Sequence, residues 1–325
     1  MNTTRRALLG ASAMTVLARH AAAQASYPTR PVRVLIPFTS GGASDTALRL
    51  TASALSQTLG QPFVVENRPG GNTIIAADLV AKSPPDGYTL LFCSSSTMST
   101  NPVLYGERLP YDPERDFAPV GLVMRLPYFV FVPADSPARN LEEFLAMARA
   151  RPGQLTFASI GNGTVGHLAS EMLTRAAGVN MLHVVYRGYS NVAPDLAAGR
   201  LSMTVADLTT FGPLLKAGQL RVLAAGTRER SDFLPDVPGM SELGFREVDA
   251  SVWAALFAPA ATPPAVIARL NEALQGYLRT EAARNAFAGT SQVPTPAPPE
   301  ELRQQVRADA GVYGPLIRSL GITVD

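Results

Sequence analysis

Two glycine-rich segments contain the residue types that bind anions in proteins. The first is PFTSGGASD, residues 37–45, and the second is SIGNGTVGH, residues 159–167. Because glycine has no Cβ, its backbone N–H group can approach a ligand closely. A helix that begins directly after such a turn adds unpaired N–H donors and the positive end of its dipole. Each segment could therefore hold an anion.

Both segments also have simpler interpretations. Each could be an ordinary strand-to-helix turn in which glycine allows tight packing and a serine or aspartate caps the helix. Taken literally, the spacing Gly161-x-Gly163-x-x-Gly166 is the fingerprint of a dinucleotide-binding turn. That fingerprint needs an acid at the end of the next strand, where this chain has Arg187. Since an arginine there suits a 2′-phosphate, an exported NADP-dependent oxidoreductase remains an alternative.

Other catalytic patterns are weak in this sequence. It contains no Gly-x-Ser-x-Gly elbow, no Ser-x-x-Lys and no His-Glu-x-x-His. The single cysteine, Cys93, excludes a disulfide framework and a multi-cysteine metal site. Beyond the N-terminal segment the histidines are His167 and His183, which is too few for a convincing metal site. We therefore expect no catalytic residue, no metal and no cofactor.

The first 25 residues have the pattern of an export signal. Arg5 and Arg6 precede a stretch of small and apolar residues, and Ala23-Gln24-Ala25 predicts cleavage before Ser26. The arginine pair fits a twin-arginine signal, and a general secretory signal fits as well. Cleavage removes three of the 28 basic residues and none of the 26 acidic ones, so the formal charge changes from +2 to −1. We therefore expect a periplasmic protein that binds no nucleic acid.

The remaining chain alternates between two kinds of segment. Short β-rich apolar runs predict strands at 32–38, 63–66, 89–93, 155–159, 183–186, 203–206 and 220–225. Apolar residues at helical spacing predict helices at 45–59, 74–82, 141–148, 165–176, 265–278 and 300–320. This alternation predicts an α/β fold with mainly parallel sheets, and the length predicts two domains. The proline-rich segment Val293–Pro299 predicts a loop.

The sequence resembles a known family over the whole predicted mature chain. It is similar to the periplasmic solute receptors of tripartite tricarboxylate transporters, the Bug family. The segments that carry the resemblance are YPTRPVR (27–33), GGASD (41–45), VENRPGGN (65–72), PDGYTLL (85–91), LPYDP (109–113), SIGNGTVGHL (159–168), VYRG (185–188), AGQL (217–220), LPDVP (234–238) and FAP (257–259). Each segment is a weak signal by itself, whereas the set in this order is specific.

The resemblance implies a two-lobed periplasmic binding protein of the type II-like, Venus-flytrap kind, whose lobes close by hinge motion. It places the signal peptide at 1–25, the first lobe at 26–124 plus 250–325, and the second lobe at 125–249. The two crossings between the lobes are expected near Val123–Val132 and near Glu247–Phe257.

The resemblance also implies a function and a site. Such a receptor binds a small mono-, di- or tricarboxylate as a monomer and delivers it to integral membrane transporter subunits, without catalysis. A receptor for a two-component sensor is an alternative. The implied ligand-binding residues are Phe38, Ser40, Gly41, Gly42, Asp45, Ser94, Ser95, Thr97, Ser159, Gly161, Gly163, Thr164, His167 and Asp207. For Asp207, capping of the following helix is an equally good interpretation.

Overall fold

A computed structural model describes residues 27–322. The predicted signal segment and its cleavage site before Ser26 lie outside the described residues. Within this range the strands are β1 Val32–Ile36, β2 Phe63–Asn67, β3 Thr89–Ser94, β4 Phe117–Pro133, β5 Thr156–Ser159, β6 Leu182–Val185, β7 Met203–Asp207, β8 Leu220–Ala225, β9 Ser251–Pro259 and β10 Val293–Ala297. The α-helices are α1 Ala43–Leu59, α2 Ile74–Ala81, α3 Asn101–Tyr105, α4 Leu141–Ala150, α5 Val165–Ala176, α6 Tyr189–Ala197, α7 Leu208–Lys216, α8 Pro264–Leu278, α9 Glu281–Ala288 and α10 Pro299–Ser319.

The strand order of the sheet is β2-β1-β3-β9-β4-β7-β5-β6, with β8 and β10 also paired to β4. The outer strands pair in parallel, as expected for βαβ units. The strands at the centre, β9 and β4, pair antiparallel with their neighbours and with each other. The α/β fold is thus confirmed as a mixed sheet: the predicted parallel pairing occurs at both ends, whereas the centre, where mainly parallel strands were expected, is antiparallel.

Strand β4 belongs to two parts of the sheet. Residues 117–127 pair with β9, and residues 128–133 pair with β7 and β8. We call β1, β2, β3, β9, β10 and the first part of β4 the β1 section. The β5 section consists of β5 to β8 and the second part of β4. The predicted lobe boundaries and crossings remain a prediction.

The segment at β10 corrects the prediction of a loop at Val293–Pro299. Val293–Ala297 pairs antiparallel with β4, although Pro294 and Pro296 lie within it. The pairing is irregular, with a shift in register between Pro294 and Ala297. Proline lacks a backbone donor and is tolerated at such irregular edge positions, which is why proline content alone gave the wrong assignment.

Each section has its own apolar core. The β5 section is built around Phe129, Phe131, Phe144 and Phe157, all almost fully buried, and Phe131 stacks on Phe211 with ring centroids 5.0 Å apart. The β1 section has helices on both faces, with α1 and α8 on one and α2 and α10 on the other. The two glycine-rich segments follow β1 and β5 at their carboxyl ends, the edge at which open α/β sheets bind ligands.

The single cysteine and the single tryptophan both lie in the core. Cys93 is a free, fully buried thiol, and burial raises its pKa. Trp253 is buried in β9 and donates its indole N–H to Asp309 Oδ2 at 2.6 Å. In the described range no helix is long and apolar enough to cross a bilayer.

Candidate anion-binding site

The first glycine turn is closed by the side chain of Asp45. Gly41 has φ +84°, a conformation that favours glycine, and its N–H donates to Asp45 Oδ2 at 2.9 Å. Ser40, Gly41 and Gly42 are exposed, whereas Asp45 is 3% exposed. The carboxylate of Asp45 therefore fixes the turn from its inner side.

Two further side chains hold Asp45. Arg49 donates through Nε at 2.8 Å and Nη2 at 3.1 Å, and Asn67 Nδ2 donates at 2.9 Å. Asn67 Nδ2 also donates to the carbonyl oxygen of Phe38 at 3.0 Å. Burial raises the pKa of Asp45, but the hydrogen bonds from Arg49, Gly41 and Asn67 outweigh it and leave the pKa below its usual value. Asp45 is thus an ionised residue inside the turn.

The second glycine turn is closed in the same way. Gly163 has φ +73°, and its N–H donates to His167 Nδ1 at 3.0 Å. Ser159 Oγ accepts from the N–H of Gly161 at 3.3 Å, and Thr164 Oγ1 donates to the Gly161 carbonyl at 2.8 Å. In both turns a side chain four residues further on accepts the N–H of a left-handed glycine, an aspartate in the first and a histidine in the second.

Three stacked rings lie beneath the second turn. The ring of His183 stacks on Phe157, with centroids 4.8 Å apart, and on His167, at 4.0 Å, with interplanar angles of 10° and 9°, while Phe157 and His167 are 6.2 Å apart. His183 Nε2 is 2.7 Å from Ser159 Oγ. Burial and then the neighbouring His167 ring lower the pKa of His183 from 6.5 to about 4, so His183 is neutral near pH 7.

The helices after the two turns begin without a side-chain cap. Gly42 is the N-cap of α1 and has no side chain, and Thr164, the N-cap of α5, turns its hydroxyl back to Gly161. By contrast, Asn140 caps α4 and Thr280 caps α9 through side-chain oxygens. The first-turn N–H groups of α1 and α5 are therefore available to an external acceptor.

The hydroxyl-rich segment is Ser94–Thr97, at the end of β3 and directly after it. Its side chains lie in two different environments. Ser94 and Ser95 are buried at the strand end, and Ser95 Oγ has no hydrogen-bond partner among the described residues. Thr97 instead donates to Thr73 Oγ1 at 2.9 Å, and its carbonyl accepts from Tyr111 at 2.7 Å. Thr97 thus belongs to an internal network, whereas Ser95 retains an unused polar group.

Asp207 caps α7, which confirms one of its two interpretations. Its Oδ1 accepts from the N–H of Thr210 at 3.0 Å. The residue is 4% exposed, and burial raises its pKa. A contact of Asp207 with a ligand remains a prediction.

The second turn lies against α3, which follows β3 of the β1 section along the chain. A Cβ at Gly163 would overlap Leu104 Cδ1, which belongs to α3 after the hydroxyl-rich segment. In another contact between distant segments, Thr209 Oγ1 of α7 donates to the Thr290 carbonyl, after α9, at 2.7 Å.

Sequence reasoning missed four residues that shape this site. Arg49 was detectable, because an arginine four residues after an aspartate on a helix forms an ion pair. Asn67 ends β2 beside β1 and could have been considered from that position. His183 and Leu104 reach the second turn through tertiary contacts, and no local sequence pattern around them indicates a role in the site.

The chain is similar to a family of transport receptors. The sequence profile of the tripartite tricarboxylate transporter family receptor matches residues 47–322. A protein encoded in the tcbD-tcbE intergenic region of Pseudomonas sp. strain P51 is 41% identical over 269 residues, which are 82% of this chain and 80% of that protein. BugT of Bordetella pertussis is 33% identical over 296 residues, 91% of each chain.

Solved structures show the same similarity. An R. palustris protein solved with adipate is 33% identical, with a TM-score of 0.85 over 91% of this chain and 99% of that one. MatC from Rhodopseudomonas palustris, solved with bound malate, is 30% identical, with a TM-score of 0.79 over 90% of this chain and 100% of that one. The periplasmic binding protein BugD gives a TM-score of 0.80 at 30% identity, over 91% and 99% of the two chains.

Proposed function

Because this chain belongs to the tripartite tricarboxylate transporter receptor family, we propose that it captures a small mono-, di- or tricarboxylate between its two sections. In this proposal it delivers the ligand to integral membrane transporter subunits from the periplasm. It performs no catalysis and needs no cofactor. Relatives solved with adipate and with malate support a carboxylate ligand.

The observation that carries the proposal is the pair of uncapped helix N-termini behind two closed glycine turns. Gly41 and Gly163 use their own N–H groups to fix the turns, so the donors left for a ligand are those of the first turns of α1 and α5. An anion at such a terminus gains from unpaired donors and from the helix dipole. One carboxylate between the two termini is stabilised from both sections.

The ligand-binding residues divide into two roles in this proposal. Gly42, Ser95 and the helix termini contact the carboxylate, and Ser95 supplies a hydroxyl without an internal partner. Asp45 and His167 act as positioning residues that hold the turns. The first helix terminus receives the ligand, and movement of the second section adds its donors.

Simple energetics set the expected affinity. A hydrogen bond to a charged group contributes about 1.5–3 kcal/mol. Several such bonds, offset by the cost of association, give about −8 kcal/mol, which corresponds to a micromolar dissociation constant. A dissociation constant in this range allows a receptor to release its ligand.

Isothermal titration of the purified protein with adipate, malate and citrate tests the proposal. We expect saturable 1:1 binding of at least one of them, with Kd on the order of 1 μM. Small-angle scattering should show a more compact particle in the bound state. Absence of binding and of a thermal shift across a broad panel of mono-, di- and tricarboxylates would overturn the carboxylate function. Tight binding of NADP would favour the oxidoreductase alternative.

The variant Gly42→Val tests where the ligand lies. Gly42 has φ −81°, and a Cβ there meets nothing closer than the Thr39 carbonyl at 3.9 Å. Valine should therefore leave the melting temperature nearly unchanged while its methyl groups block the N-terminus of α1. We expect an affinity loss of at least about tenfold, equivalent to about 1.4 kcal/mol. Unchanged affinity in a correctly folded Gly42→Val protein would move the site away from the first turn.

A further inference from the structure

The second glycine turn differs from the first in the chemistry of its closing side chain. In the first turn the N–H of Gly41 is accepted by an ionised carboxylate that Arg49 also binds. In the second turn the N–H of Gly163 is accepted by a lone pair on His167 Nδ1 at 3.0 Å. A proton at that nitrogen would convert the acceptor into a donor and remove the bond.

We propose that His167 and His183 form a proton-sensitive latch that holds the second glycine turn in its ligand-binding conformation. The proposal rests on the carboxylate-binding function given above and concerns the regulation of that same site. His167 holds Gly163, and His183 holds Ser159, whose hydroxyl accepts the N–H of Gly161. The turn is thus held at one end by the Nδ1 lone pair of His167 and at the other end by the ring of His183.

The two rings cannot take up protons independently. Their centroids are 4.0 Å apart, so two imidazolium ions would repel each other in a buried stack. The other groups packed against them are Phe157 from β5, which is uncharged, and Glu171 from the next turn of α5, with Oε1 3.7 Å from His167 Nε2. Glu171 offers a counter-charge on the side of His167 that faces away from Gly163. Protonation of the stack therefore draws the His167 ring toward Glu171 and away from the turn.

The direction of the pH effect follows from the neutral state of the stack. An unfolded chain protonates His183 near pH 6.5, whereas in the folded protein its pKa is lowered to about 4, first by burial. The contribution of His183 to stability is therefore complete above pH 6.5 and is lost as the pH falls through that interval. Because Asp45 has a pKa below its usual value, the first turn does not change in the same interval.

Amide NMR of the ligand-free protein tests the latch without any ligand. As the pH is lowered from 8 to 4, the Gly163 amide proton should move toward the position of a free amide, while the Gly41 amide, bonded to Asp45, should stay in place. Gly41 is a matched internal control, since both glycines are left-handed and both donate to a side chain four residues further on. A Gly163 signal as constant as that of Gly41 would overturn the latch and leave the proposed function untouched.

Two variants connect the latch to binding. In His167→Asn the side-chain amide oxygen can accept the Gly163 N–H and does not titrate, so the affinity of this variant for adipate and malate should be the same at pH 8 and at pH 5.5. In His167→Phe no acceptor is present, and affinity should be about tenfold lower at both pH values. We expect the wild type to lose affinity between pH 8 and 5.5, by up to about tenfold, because opening of the turn would return His183 to its ordinary pKa. Equal pH profiles for wild type and His167→Asn would refute the latch, and failure of all three proteins to bind any carboxylate would refute the function instead.

Discussion

Replacing Gly163 with alanine is expected to abolish ligand binding. The residue has φ +73°, and a Cβ there would overlap the Cδ1 atom of Leu104. The substitution combines a left-handed strain of about 1–2 kcal/mol with a steric push that separates the second turn from α3. We expect at least a 100-fold loss of affinity in isothermal titration, which corresponds to a loss of about 2.7 kcal/mol or more in binding free energy.

Two further variants make this prediction specific. Gly178→Ala is the matched control, since Gly178 has φ +62° but a Cβ there would meet nothing within 4 Å, so the substitution should cost stability without changing affinity. The double variant Gly163→Ala/Leu104→Ala removes the atoms that the new methyl group meets. It should recover a large part of the binding lost in Gly163→Ala. No recovery would mean that backbone strain, and not contact with Leu104, causes the loss.

Replacing Asp45 with alanine should weaken both the fold and the site. The carboxylate accepts hydrogen bonds from Gly41, Asn67 and Arg49 while being 3% exposed. Its removal breaks four hydrogen bonds from three residues. Gly41 and Arg49 are exposed and can bond to water instead, so the cost stays below the about 1–3 kcal/mol of each fully buried orphan. We expect a drop of roughly 1–3 kcal/mol in the free energy of unfolding by urea, and binding too weak to detect by titration.

Acidification should reduce the stabilisation that Asp45 provides. Because the folded pKa of Asp45 lies below its unfolded value, its stabilising contribution is complete above the unfolded pKa and is lost as the pH falls through the folded one. The free energy of unfolding, measured with urea, should therefore decrease more between pH 7 and pH 3 for the wild type than for Asp45→Asn. The asparagine keeps the shape of the side chain without the charge. The same difference in both proteins would show that Asp45 is not the group responsible.

Local patterns in the sequence predicted much of this structure. The seven predicted strands all occur, and the glycine-rich segments occupy the carboxyl ends of β1 and β5 as expected. Asn140 caps α4, and its neighbours carry the apolar stripe that predicted this helix. These features depend on residues within a few positions of one another, which is the range over which propensity, capping and periodicity act.

The residues that were missed act over long distances in the chain. β10 pairs with β4, from which it is separated by about half of the protein, and its prolines argued for a loop. The contact of Gly163 with Leu104 and the stacking of His183 on His167 also join separate elements. The turns themselves were predicted, but the closing roles of Asp45 and His167 were not, since a side chain that faces inward and one that faces a ligand have the same spacing in sequence.

The position of β9 in the chain determines when the β1 section can be completed during synthesis. The first part of β4 and β3 both pair with β9, Ser251–Pro259, which a ribosome produces long after β3, Thr89–Ser94. Until β9 has emerged, the β1 section lacks its central strand and exposes two unpaired edges. Such distant pairing delays folding, so the β1 section remains incomplete for most of the translation of the chain. An export signal at the N-terminus, where the sequence predicts one, would thus emerge before the sheet that unites the two sections exists.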